Sequence, residues 1–181
     1  MKKILPSLLV ALTCTVVHAE NPQLPFGNDS DCNHGPMAQF GRYIGDWKIS
    51  DESLSRETGE WEPGDGARWI FACLGNGTAI QDFWIPPNGT VGTNLRTYNS
   101  ATESWDIAWA VTGTPGYSRI AAKQNDDGKI LMTIIAPIPD PPRKITFFPP
   151  DENGWNWKLE FSFDGGQNWT EVYRIRATPF H

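Results

Sequence analysis

Apolar and polar residues alternate along much of this chain with a period of two. Trp155, Trp157, Leu159, Phe161 and Phe163 alternate with polar residues at positions 156, 158, 160 and 162. Such strict alternation predicts a β-strand with one buried face and one face exposed to water. The segment 105–111 has the same period, so it is predicted to form a second strand of this kind.

Eight further runs have the character of short strands: 44–50, 67–74, 78–85, 93–99, 118–123, 129–135, 144–148 and 169–176. Turn-forming residues separate them, as in Gly75-Asn76-Gly77, and these residues favour the tight turns that link adjacent antiparallel strands. With 17 Gly and 15 Pro in the chain, no segment is left for a long amphipathic helix. The sequence therefore predicts an all-β fold, an antiparallel meander of about ten strands.

A closed barrel is the arrangement of these strands that the sequence favours. An open meander would expose two strand edges to other chains, whereas closure removes them. The chain also contains nine Trp, which need an enclosed volume for their rings. The interior of such a barrel is either filled by side chains or holds one small ligand.

The first nineteen residues predict export. Lys2 and Lys3 precede an apolar stretch over residues 4–17, and Val17-His18-Ala19 supplies small residues before a cleavage site. This is the pattern of a secretory signal peptide, too short to span a membrane with both flanks. We expect cleavage after Ala19, an irregular arm over residues 20–36 and a barrel domain over residues 37–181. The mature protein is predicted to be secreted or periplasmic, without a membrane span.

The charge of the chain excludes some classes of partner. The chain has 15 basic and 21 acidic residues and no basic stripe, which argues against nucleic acid or an anionic membrane as a partner.

Only Cys32 and Cys73 remain after cleavage, and exported proteins can form disulfides. A Cys32–Cys73 bridge would attach the arm to the strand that holds Cys73. It would close a loop of roughly 40 residues and contribute about 3–4 kcal/mol.

The segment Phe40-Gly41-Arg42-Tyr43-Ile44-Gly45-Asp46-Trp47 opens the first predicted strand. It resembles the Gly-x-Trp opening of lipocalin-like (calycin) barrels. In that family the tryptophan closes one end of the barrel, and an arginine from the last strand commonly covers it. The resemblance implies that Trp47 closes this barrel and that Arg174 or Arg176 covers its indole, a contact that contributes about 0.5–2 kcal/mol.

Together with the segments 93–99 and 105–109 and the ending Asp164-Gly165-Gly166, this opening makes the chain similar to bacterial exported proteins of unknown function with lipocalin-like barrels. The resemblance covers residues 37–179 and implies a fold rather than an activity. True lipocalins have a helix after the last strand, and the sequence predicts none here, so their transport role is not carried over.

A second motif, Ser162-Phe163-Asp164-Gly165-Gly166-Gln167-Asn168-Trp169, is similar to the Asp-box of sialidases and related propellers. Sialidases carry several copies of this box and a separate arginine cluster, but this chain has one copy. We therefore predict a structural turn in which the Asp164 carboxylate accepts backbone N–H bonds.

Catalytic and metal motifs are weak. His34 and His181 are the only histidines after the predicted cleavage site, one in the arm and one at the end of the chain. We therefore predict no His-centred catalytic site, no metal site and no cofactor.

Charged residues inside the predicted strands suggest a ligand site. Asp82 shares a strand face with Trp84, and Arg96 shares one with Tyr98. Facing inward, these side chains would give an aromatic pocket polar anchors, the usual composition of a small-molecule site. The candidate ligand-binding residues are Asp82, Trp84, Arg96, Tyr98, Trp105 and Trp109. Residue parity does not say which face is inside.

Three classes of function follow from this sequence. The first is a barrel that binds a small apolar or aromatic molecule against its tryptophans. The second is a cofactor-free lipocalin-like enzyme, an isomerase, cyclase or hydratase that uses a buried carboxylate with an arginine or a tyrosine. The third is a structural or interaction module whose aromatic residues form only a core. A pocket above ~300 Å³ separates the first two classes from the third.

Overall fold

The computed structural model describes residues 29–181, and the predicted signal peptide, residues 1–19, lies outside them. Two 3-10 helices, Asp29–Cys32 and Gly35–Met37, precede the short helix α1, Ala38–Gly41. The strands of the described residues are β1 Gly45–Leu54, β2 Trp61–Pro63, β3 Ala67–Leu74, β4 Ala79–Ile85, β5 Gly92–Asn99, β6 Ser104–Val111, β7 Ser118–Gln124, β8 Ile130–Ala136, β9 Arg143–Phe147, β10 Trp155–Phe161 and β11 Thr170–Pro179. Within residues 29–181 no helix has the length and apolar character needed to cross a membrane.

The strands of this described region close into an antiparallel barrel. From β3 to β11 each strand pairs with the next, and β1 pairs with both β3 and β11, so ten strands form a ring. Trp47 of β1 lies opposite Trp69 of β3 on one side and Pro179 of β11 on the other. The predicted all-β meander and its closure are confirmed. The remaining strand, β2, pairs only with the end of β1 and stands outside the ring.

Aromatic side chains fill one end of the barrel, which we call the closed end. Phe40 of α1 packs edge-on against Trp105 of β6, with ring centroids 5.0 Å apart. Tyr43 packs against Trp155 of β10 at 5.1 Å and donates from its hydroxyl to the Phe148 carbonyl at 2.8 Å. Burial raises the pKa of the Tyr43 hydroxyl to about 12. The segment before β1 therefore closes this end and places rings against the barrel interior.

The predicted disulfide is present. Cys32 and Cys73 are bonded, with their Cα atoms 5.9 Å apart, and both are fully buried. The bond attaches the 3-10 helix at Asp29–Cys32 to the end of β3. Close packing supports the same junction, because a Cβ on Gly41 would lie 1.9 Å from the Cys32 carbonyl oxygen. The disulfide thus anchors the segment that closes the barrel.

The turn between β10 and β11 has the hydrogen bonds expected of the Asp-box motif. Asp164 Oδ1 accepts from the backbone N–H groups of Gln167 at 3.0 Å and Asn168 at 2.8 Å. Hydrogen bonds led by that of Asn168 lower the pKa of the exposed Asp164 carboxyl to about 2. The alternating pattern predicted a strand that extends to Phe163, but β10 ends at Phe161. The Phe163 ring is exposed in the turn, and the Arg56 guanidinium lies over it.

Candidate functional site

A buried ion pair lies inside the barrel between neighbouring strands. Asp82 of β4 and Arg96 of β5 have no exposed surface, and Arg96 Nη1 contacts Asp82 Oδ2. Asn94 of β5 donates to the same carboxylate, through its backbone N–H at 3.2 Å and through Nδ2 at 3.1 Å to Oδ1. Asp82 therefore has a charged partner and two further donors, as a buried carboxylate requires.

Aromatic rings enclose the Arg96 guanidinium. Its central carbon lies 4.8 Å from the ring centroid of Phe40, 5.2 Å from that of Phe71 and 6.0 Å from that of Phe147. A cation over ring faces is attracted to them, more strongly when water is excluded. Burial lowers the pKa of Arg96, and the adjacent Asp82 opposes that effect. The ion pair thus borders the closed end, where Phe40 covers it.

A cavity of about 330 Å³ occupies the barrel interior next to this ion pair. Its aromatic lining consists of Trp69, Trp84, Trp109, Phe147, Trp157 and Tyr173. Its aliphatic lining consists of Ile120, Met132, Ile134, Ile145, Leu159 and Ile175. Among residues 29–181, the polar side chains of Asn94, Arg96 and Arg143 complete the lining, and Tyr173 adds its hydroxyl. The arrangement is that of a small-molecule site, a mostly apolar cavity with a few polar groups.

Gly92 gives Trp109 its position in the cavity wall. A Cβ at Gly92 would lie 2.0 Å from the Trp109 ring atom Cη2, so the indole lies directly over the backbone of β5. Any side chain at residue 92 would push this indole away. The close approach of backbone and ring fixes one wall of the cavity.

A second recess, of about 470 Å³, adjoins the cavity at the opposite end of the barrel, which we call the mouth. Trp84, Trp109 and Tyr173 line both spaces. The Tyr173 hydroxyl donates to Asp51 Oδ2, and Asp51 Oδ1 accepts from the Gly66 N–H at 2.8 Å. Burial, together with this bond to Asp51, raises the pKa of Tyr173 above its ordinary value. The mouth thus carries a carboxylate–phenol pair.

The candidate ligand-binding residues lie in three different places. Trp84, Arg96 and Trp109 line the cavity. Asp82 lies behind the cavity wall as the counter-ion of Arg96. Trp105 and Tyr98 belong to the closed end, where their rings pack against each other at 5.4 Å, and Trp105 Nε1 donates to Gln39 Oε1 at 2.9 Å.

The two residues expected to close the barrel, Trp47 and Arg174, do not contact each other. Trp47 lies at the closed end, 5.8 Å from the Trp155 ring, and donates from Nε1 to the Tyr43 carbonyl at 2.8 Å. Arg174 does not cover it, which corrects that expectation. In the β1–β11 register Arg174 lies opposite Glu52, five positions from Trp47, and on the outer face of the barrel it stacks over Trp61 at 4.0 Å. Arg176, the other expected cover, pairs with Asp151 at 2.8 Å.

The sequence reasoning missed several cavity residues, among them Asn94 and Arg143. The signal for Arg143 is its parity with Ile145 and Phe147, which places an arginine on an otherwise apolar strand face. The signal for Asn94 is that it shares a face with Arg96. Both are polar residues on strand faces that point inward.

Comparison with known proteins identifies no family for this chain. No protein-family model and no curated protein sequence matches it. In residues 29–181 no group of three or more His, Cys, Asp or Glu side chains could hold a metal ion. The site is therefore defined by its own geometry.

Proposed function

We propose that this protein is an exported barrel that binds a compact apolar or aromatic small molecule in its interior cavity. The observation that carries the proposal is the cavity itself, about 330 Å³ lined by the indoles of Trp69, Trp84, Trp109 and Trp157. Its volume falls at the lower end of the ~300–1,000 Å³ range of small-molecule sites, so it suits a compact ligand. A small barrel interior is either filled by side chains or holds one small ligand, and this interior leaves room for a ligand.

The composition of the cavity supports an aromatic ligand. Aromatic rings attract each other in edge-on and offset arrangements, each pair contributing about 0.5–1.5 kcal/mol beyond the burial of area. Trp84 and Trp109 line both the cavity and the recess at the mouth, so a ligand would enter between them. Export and kinship with bacterial lipocalin-like barrels belong to the same proposal. A disulfide and a closed barrel are compatible with both.

Filling the cavity should weaken binding at least about tenfold. Ile134 of β8 lines the cavity, whereas its neighbour Ile135 is 40% exposed on the outer face. In Ile134→Phe the added ring occupies ligand space, and the affinity for 2-naphthamide, a neutral two-ring probe, should fall at least about tenfold, or ~1.4 kcal/mol. Isothermal titration calorimetry measures this, with Ile135→Phe as the matched control, which should bind like the wild type.

Equal probe affinity in the wild type and Ile134→Phe would place binding outside the cavity and refute the proposal. Ile145→Phe repeats the test from β9 should Ile134→Phe not fold, because Ile145 also lines the cavity. Circular dichroism establishes which variants are folded before any titration.

A second candidate, the cofactor-free enzyme, is favoured by the Asp51–Tyr173 pair at the mouth. Asp82 is committed to Arg96 and Asn94, so Asp51 is the carboxylate better placed to meet a substrate. A carboxylate beside an apolar cavity can take a proton from a substrate, and the Tyr173 hydroxyl holds Asp51 in position by donating to it. Mass spectrometry of the recovered ligand separates the two candidates: a binding protein returns it unchanged, and an enzyme returns a product whose formation requires both Asp51 and Tyr173.

A further inference from the structure

Three side chains that line the cavity have buried N–H groups without an acceptor among residues 29–181. They are Trp69 at Nε1, Arg96 at Nε and Nη2, and Arg143 at Nε. A buried donor without an acceptor costs about 1–3 kcal/mol. All of these atoms are donors, and no Asp or Glu of the described residues belongs to the cavity lining. The cavity therefore favours a ligand that supplies hydrogen-bond acceptors.

The charged side chains that line the cavity, Arg96 and Arg143, are both cations. Asp82 compensates the charge of Arg96. Within the described part of the chain, the half-buried Arg143 forms no ion pair, and its guanidinium lies over the Phe161 ring at 4.8 Å. Lys144, the next residue, points to the outer face and contacts Glu160 at 3.6 Å. The inward-facing cation thus lacks the partner that the neighbouring outward-facing cation has.

We propose that the natural ligand is a compact aromatic or apolar acid whose anionic group binds Arg143. This inference rests on the proposed function and specifies the ligand class. The planar guanidinium can donate two parallel hydrogen bonds to a carboxylate, a charge-assisted contact that is stronger than one between neutral groups. The apolar part of the acid then lies against the tryptophans, and the acid neutralises the unpaired charge of the cavity.

A matched pair of probes tests this proposal. 2-Naphthoate carries a carboxylate where 2-naphthamide carries a neutral amide of nearly the same shape. In calorimetry at pH 7, wild-type protein should bind the naphthoate at least about tenfold more tightly than the naphthamide. In Arg143→Gln this preference should disappear through loss of naphthoate affinity alone. Arg119→Gln, which removes an exposed arginine from β7, should keep the full preference.

The results of this titration distinguish failure of the acid proposal from failure of the binding proposal. Naphthamide and naphthoate binding equally to the wild type, or a preference that survives in Arg143→Gln, would overturn the acid proposal while leaving the cavity as a binding site. Binding of neither probe would overturn both proposals. Arg143→Lys keeps the charge but loses the planar fork, so it should retain part of the preference. It also provides the test should Arg143→Gln fail to fold.

Discussion

Asp82→Ala is expected to lower the free energy of unfolding by about 3–5 kcal/mol, because it leaves the buried Arg96 guanidinium without its counter-ion. Both side chains lack exposed surface, so the two charges compensate each other where bulk water does not reach them. Asn94 would also lose the acceptor of its side-chain and backbone N–H groups. Urea denaturation followed by tryptophan fluorescence at pH 7 measures the change.

Two controls separate this effect from simple loss of a charge pair. Asp46→Ala breaks the exposed Arg68–Asp46 pair and should cost less than about 1 kcal/mol. Asp82→Leu combined with Arg96→Met removes both buried charges, and it should be clearly more stable than Asp82→Ala. A cost for Asp82→Ala as small as that of Asp46→Ala would show that Arg96 is not a buried cation in solution.

Loss of the disulfide should have an effect of comparable size. A bond between residues separated by 41 positions is expected to contribute about 4 kcal/mol in the chain-entropy model. The double variant Cys32→Ala, Cys73→Ala should therefore unfold at a markedly lower urea concentration than the oxidised protein. The bond also holds the segment that carries Phe40, so this variant should expose Arg96 to solvent.

Reduction of the wild type with dithiothreitol provides the control, since it opens the same bond without changing the sequence. The reduced protein should unfold near the midpoint of the double variant. Identical unfolding midpoints for the oxidised protein and the double variant would contradict a stabilising role for this bond.

The period of two accounts for most of the fold. Each of the ten predicted strand-like runs overlaps a strand of the ring, and the turn residues between them favour antiparallel neighbours. The short strand β2 could not be predicted, since Trp61–Pro63 is too short to show a period. Its pairing with β1 depends on tertiary contacts, notably the stacking of Trp61 under Arg174.

The site was predictable only in part. Alternation paired Asp82 with Trp84 and Arg96 with Tyr98, but closure of the barrel decided that these faces point inward. Residues on the same inward face also lie at different heights in the barrel. Arg96 therefore lines the cavity, whereas Tyr98 lies at the closed end. The expected contact of Arg174 with Trp47 failed for a similar reason, because strand register is not encoded in a local motif.

The indole N–H signals of 15N-labelled protein, recorded by NMR during titration with 2-naphthoate, report directly on where a ligand binds. The signals of Trp69, Trp84, Trp109 and Trp157, which line the cavity, should shift and saturate together. Those of Trp61 and Trp169, which lie outside the cavity against Arg174 and Lys144, should stay in place. Shifts confined to these two outer tryptophans, or no shift of the four cavity indoles at millimolar probe, would contradict a ligand site inside the barrel.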